Sequence, residues 1–193
     1  QTATEDITVN APIITGGGNF TATADRDLNV TGAFTGTGDT EPTLPSGAVL
    51  HYAMDATSAA NNSTVADTSG SGNDGTLFTN DANASVAGRF GNALDFQGEV
   101  DDYVIANPVG AWPTTEVTLS MWVKSTDTGP DSRSLFSYAS STEDNELLVS
   151  NPQLLRLRLN ETLVVTDVNI ADGSWHLLAV TWESATGALE IFV

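Results

Sequence analysis

Four consecutive polar residues, Glu143, Asp144, Asn145 and Glu146, sit inside "LFSYASSTEDNELLVS", between two apolar stretches. Three carboxylates and a carboxamide offer hard oxygen donors, and Ca2+ takes roughly six to eight such oxygens from side chains and backbone carbonyls. On residue types alone the run reads first as a solvated turn, because charge runs usually face water. A second oxygen-rich stretch, "ADTSGSGNDG", carries Asp67, Asn73 and Asp74. Its spacing is superficially that of an EF-hand start, but the distal Glu and the helical setting are missing. Asn73-Asp74-Gly75 is good turn chemistry by itself, so a structural turn is expected there, with a metal role for Asp67, Asn73 and Asp74 as the alternative. Asp101 and Asp102, in "GEVDDYV", read as an exposed loop.

Other chemistry is sparse. His51 and His176 fall in or at the start of strand-like runs and read as satisfied strand histidines rather than catalytic ones. The sequence has no G-x-S-x-G, no H-E-x-x-H, no phosphate-binding glycine loop and no cysteine. No enzyme is expected.

The elements that must position these residues are strands. "DITVNA", "DLNVTGAF", "VTLSMWVKS", "SLFSYA", "LRLRL", "TLVVTDV", "HLLAVTW" and "LEIFV" are rich in β-branched and aromatic residues and are bounded by Gly, Asp, Asn and Pro. No long 3.6-residue apolar stripe is present, so the fold class is all-β, a sandwich or jelly roll. Alternation places Leu94 and Phe96 on one face and Asp95 and Gln97 on the other. Trp122, Trp175 and Trp182 sit within alternating strands and read as core, with a sugar-stacking platform as the alternative.

Composition narrows the partners. Asp and Glu number 25 against 6 Lys and Arg, a net charge of -19. Such a surface repels phosphate backbones and anionic headgroups, which argues against nucleic acid and membranes. Lys124 is the single lysine, and an acidic surface suits salty water, so a marine or halophilic source is expected. No apolar run reaches the ~18 residues that cross a bilayer, and no signal peptide is visible. Gln1 is not an initiator methionine and the chain stops in the strand-like "LEIFV", so a piece of a longer multidomain chain is expected.

Residues 1–38 differ from the rest. "DITVNAPIITGGG" from Asp6 and "DLNVTGAFTGTGD" from Asp27 share a pattern of Asp, aliphatic, polar, Val, polar, small, then a glycine-rich turn, an internal repeat of about one β-solenoid coil. The segment resembles the coils of filamentous-haemagglutinin-like bacterial adhesins, with an extended β-hairpin arm as the plainer alternative. Residues 39–47, with two prolines and no apolar run, read as a linker.

From Ala48 onward the succession "AVLHYAMD", "VADTSGSGNDGTL", "GRFGNALDFQGEVDDYV", "VTLSMWVKS", "SLFSYAS" and "DGSWHLLAVTWESATGALEIFV" resembles a laminin-G-like or pentraxin-like domain of the concanavalin A-like jelly rolls. Residues 48–193 are thus expected to form such a domain, incomplete at its C-terminus. The stretch from Ser134 is similar to pentraxins in particular. The resemblance implies calcium ligation by Asp144 and Asn145, with Glu143 and Glu146 as auxiliary anions and further ligands in a later acidic loop beyond Val193. It also implies a core disulfide in that family, and the matching positions here are Ser120 and Ala179. Glycosidases of the same superfamily carry paired acids as "ExDxxE"; Glu143 and Glu146, three apart, would face opposite ways in an extended strand.

The function expected from these readings is non-catalytic, calcium-dependent binding of a carbohydrate, matrix or cell-surface ligand, as an adhesion module of a larger extracellular or surface-displayed bacterial protein. The alternatives are a structural spacer of a large adhesin and an accessory domain of a secreted hydrolase.

Overall fold

The computed structural model describes residues 47–98, 101–129, 133–140, 146–159 and 162–193, together with six short strands ahead of them. The chain divides into two compact units, Gln1–Gly47 and Ala48–Val193. No described residue is helical.

In the first unit the strands are β1 (Thr2–Ala3), β2 (Ile7–Val9), β3 (Ile13–Thr15), β4 (Thr23–Ala24), β5 (Leu28–Val30) and β6 (Phe34–Gly36). They pair in parallel, β1 with β4, β2 with β5 and β3 with β6. Thr2 faces Thr23, Ile7 faces Leu28 and Ile13 faces Phe34, so every partner lies 21 residues further on. That offset equals the spacing of the two aspartates, Asp6 and Asp27, that open the repeat.

The second unit contains β7 (Thr64–Val65), β8 (Gly75–Phe78), β9 (Ser85–Ala87), β10 (Asn92–Leu94), β11 (Tyr103–Ile105), β12 (Glu116–Lys124), β13 (Ser134–Tyr138), β14 (Leu147–Ser150), β15 (Arg156–Leu159), β16 (Thr162–Val165), β17 (Trp175–Glu183) and β18 (Leu189–Phe192). Two antiparallel sheets, β12-β17-β18 and β13-β14-β15-β16, supply the main layers, and β11-β8-β7 and the β9-β10 hairpin form smaller ones. Alternation explains the packing. Along β12, every second residue from Val117 to Val123 is turned inward while Glu116, Thr118, Ser120, Trp122 and Lys124 are exposed. Of the inward set, Leu119, Met121 and Val123 pack against Leu178 and Val180 of β17, Val149 of β14, Leu157 of β15 and the loop residues Leu155 and Ile170 in one core. Each such side chain contributes about 1.5–3 kcal/mol on leaving water. A second cluster, Ala59, Val65, Leu77 and Ala84, takes Tyr52, Met54, Leu94 and Val104 against it.

The structure corrects the reading of the tryptophans as one core row. β12 and β17 pair with Val117 opposite Trp182 and Trp122 opposite Leu177. Trp182 therefore shares the inward face with Leu178 and Val180, whereas Trp122 lies on the outer face. It is 42% exposed there. Phe90 meets it edge-on at 5.8 Å, and the Arg89 guanidinium lies over both rings. Phe96 is corrected likewise. Regular alternation ends with β10 at Leu94, which packs on the second cluster, while Phe96 is 39% exposed. Ser120 and Ala179, the positions matching the family disulfide, are direct cross-strand partners on the same outer face as Trp122.

Candidate functional site

β13 and β14 are antiparallel neighbours, and their last pair is Tyr138 with Leu147. The segment joining them carries the acidic run. Glu143, Asp144 and Asn145 lie outside the described residues; Glu146 is described and half-buried at the foot of the connection. At the end of β13 that leads into it is an aromatic plate that sequence reasoning missed. Trp112 stacks on Tyr138 with ring centroids 3.8 Å apart and planes 10° from parallel, and lies 6.0 Å from Phe136. Burial pushes the Tyr138 phenol pKa up, and the Glu146 carboxylate adds to the shift. Trp112 precedes Pro113 in "GAWPTTE", outside any alternating run, so no periodicity marked it as a partner of β13.

The second oxygen-rich loop is wound around one carboxylate. Asp67 Oδ1 accepts from the backbone N–H groups of His51 and Ser69, each at 2.9 Å. Its Oδ2 accepts from the Ser69 hydroxyl and the Asn73 N–H, also at 2.9 Å. Burial alone would raise the Asp67 pKa, but these donors outweigh it and hold the carboxyl at about 2. Asn73 is 5% exposed, and its side chain is fully used. The amide NH2 donates to the carbonyls of Val49 at 2.8 Å and Gly110 at 3.4 Å, and the amide oxygen accepts from Gly110 N–H at 2.8 Å. Asp74 accepts from Asp67 N–H at 2.8 Å. The Tyr52 hydroxyl donates to the Asn73 carbonyl at 2.7 Å, and burial, with the charges of Asp67 and Asp74, pushes that phenol up to about 12. These bonds organise a turn, and a cation at Asp67 would have to compete with four protein donors.

Elsewhere, Asp102 accepts from the N–H groups of Asn80 at 3.3 Å and Gln97 at 3.1 Å, while Asp101 is exposed. Each histidine has a local partner, His51 Nδ1 with Thr68 Oγ1 at 2.5 Å and His176 Nε2 with Asp172 at 3.0 Å. Among the described residues no three His, Asp or Glu side chains gather as a metal-binding group. Among the described residues there is no helix long and apolar enough to cross a membrane, which says nothing of crossing by strands.

Antiparallel sheets closed over one aliphatic core, with smaller sheets alongside, define an all-β jelly-roll sandwich. The chain belongs to the Concanavalin A-like lectin/glucanases superfamily, whose laminin-G-type profile matches residues 97–193, about half of it. It is also similar to neuronal pentraxin-1 of Homo sapiens, 34% identical over 79 residues, and to neuronal pentraxin-2 of Homo sapiens, 30% identical over 79 residues. Each match covers 39% of this chain and 18% of the relative, so the chain spans less than a fifth of the length of the curated relatives it matches. No solved structure matches the chain at a significant level.

Proposed function

We propose that this chain is a non-catalytic binding or adhesion module that works outside the cell, holding calcium at the β13–β14 connection and using it to engage a carbohydrate or matrix ligand. The observation that carries this reading is the place of the acidic run: it closes an antiparallel hairpin inside the stretch that matches the superfamily. Asp144 would supply a carboxylate and Asn145 a carboxamide oxygen, with Glu143 and Glu146 adding charge, which is a donor set suited to calcium. The aromatic pair Trp112 and Tyr138 stacks at the end of β13 from which the connection leaves. A bound cation would also invert the sign of the local field on a chain with net charge -19, so that a polyol or anionic group could approach. The six short strands of the first unit, paired in parallel at the repeat spacing, fit a coil-like reading of residues 1–38, with residues 39–47 as the link.

The test is a calcium titration of thermal melting. A bound ion stabilises by about 2.7 kcal/mol at a hundredfold excess over its dissociation constant, so the midpoint must climb with concentration. Asp144→Ala is expected to abolish the climb. A flat response at millimolar calcium, or the same climb in the variant, would end the calcium reading, and a glycan array with no selective signal in either state would favour the structural spacer.

A further inference from the structure

The sheet β11-β8-β7 has its own solvent-facing surface. Along β8, Gly75 and Leu77 are buried while Thr76 and Phe78 face out; along β11, Tyr103 and Ile105 are exposed on either side of the inward Val104. The register sets Tyr103 directly across from Phe78. Their rings stack at 4.9 Å with planes 21° apart, and Tyr103 remains 43% exposed. Beside this pair opens a cavity of about 200 Å³ lined by Asn61, Phe78, Thr79, Asn80, Asp101 and Tyr103.

The lining is pre-set by bonds that use other atoms. Asn61 accepts from Thr79 N–H through its amide oxygen at 3.3 Å, which leaves the amide's NH2 to donate. Asp102 ties the backbone of Asn80 to that of Gln97, fixing one wall of the cavity from outside it. The residues that line the space carry a carboxylate, two carboxamides, a threonine hydroxyl and an aromatic surface, and none of them is basic.

That combination selects by elimination. An anion would meet Asp101 with nothing to offset it. A wholly apolar group would desolvate Asp101, Asn61 and Asn80 without replacing their hydrogen bonds. A calcium ion would find one carboxylate, far short of the roughly six to eight oxygens it takes. A neutral ring with hydroxyls on its rim and an apolar C–H face fits each part: the face against Tyr103, the hydroxyls on Asp101, Asn61 and Asn80. The volume lies below the roughly 300–1,000 Å³ of drug-sized pockets and so suits one ring rather than an extended ligand.

We propose that Tyr103 and Phe78, with Asn61, Asn80 and Asp101, form a second glycan site that takes one neutral pyranose residue without calcium. It uses none of the residues 143–146, so it stands or falls apart from the calcium reading. The probe is an array of neutral glycans ending in glucose, galactose, mannose or fucose, with uronate-bearing and sulfated glycans alongside, read with the 193-residue chain in excess chelator. The expected result is chelator-resistant binding to at least one neutral glycan, weakened about tenfold in Tyr103→Ala and largely retained in Tyr103→Phe. Absence of neutral-glycan binding in chelator, a preference for the anionic glycans, or full binding by a folded Tyr103→Ala would overturn the proposal. Should Tyr103→Ala fail to fold, Asn80→Ala on the exposed wall decides: a several-fold loss supports the site, and unchanged binding overturns it.

Discussion

Replacing Ser120 and Ala179 together by cysteine should lock β12 to β17. The two residues are direct register partners, and both lie on the face turned away from the aliphatic core, so the substitution disturbs no buried packing. Cross-strand partners have Cβ atoms roughly 4.5–5.5 Å apart and a disulfide needs about 3.5–4.5 Å, so the strands must draw together by about an ångström. Closing a loop of roughly 60 residues gives about 4 kcal/mol from chain entropy, and the local adjustment brings the net to about 2–4 kcal/mol. For a chain of this size each kcal/mol is about 2–4 °C, hence a rise in the melting midpoint of roughly 5–15 °C. Because the sequence has no cysteine of its own, thiol titration reads the bond directly. The assay is thiol counting after mild oxidation, followed by thermal melts with and without reductant. The companion pair Met121→Cys with Ala179→Cys, displaced by one residue and split between two faces, should stay open. If both pairs close equally, or the Ser120/Ala179 bond lowers the midpoint, the register and the reasoning built on it are wrong.

Three further outcomes rest on residues in the first half of the same unit. A Cβ on Gly75 would sit 2.6 Å from Val104 Cγ1 and 2.8 Å from the Tyr52 hydroxyl, which is itself held by the Asn73 carbonyl, so Gly75→Ala should cost about 1–3 kcal/mol in chemical denaturation; an unchanged midpoint would contradict the packing described. The Asp67 carboxyl titrates at about 2 when folded against 3.8 unfolded, so the stability it contributes is present above pH 4 and drains away as pH falls from there towards 2. Tyr52, raised from 10.0 to about 12, acts at the other end: its contribution is intact below pH 10 and is lost as pH rises towards 12. Denaturation midpoints across pH should therefore fall off in both windows, and Asp67→Asn should flatten the acid one and shrink the alkaline one, since the Asp67 charge is part of what raises Tyr52.

The strands were legible because alternation survives on the exposed side of a sheet. β12 alternates over nine residues, and the run "VTLSMWVKS" shows it before any coordinates. The 21-residue offset of the parallel pairs was equally visible in the repeated aspartate pattern. What alternation cannot give is the pairing of distant strands. Trp122 and Trp182 look equivalent in sequence, yet the register matches even-numbered residues of β12 with odd-numbered residues of β17, which sends the two rings to opposite faces. The turn at Asp67 was readable as a turn from its Asn, Asp and Gly residues. Its reach to Val49 and Gly110 was not, because hydrogen bonds across 24 and 37 residues leave no local mark. The Phe78–Tyr103 pair was hidden for the same reason: each aromatic is unremarkable in its own strand, and only their register makes a surface.

The buried amide of Asn73 also settles where the unit can be cut. The carbonyl of Ala48 is held by the Ser71 hydroxyl, that of Val49 by Asn73, and the N–H of His51 by Asp67, although none of these three belongs to a strand. Judged by strands alone, a stand-alone unit could begin shortly before Thr64. Judged by who satisfies the Asn73 and Asp67 side chains, a version begun after His51 would strip the buried amide of its Val49 acceptor and the Asp67 carboxylate of its His51 donor, and its failure to express would say nothing about the sandwich itself.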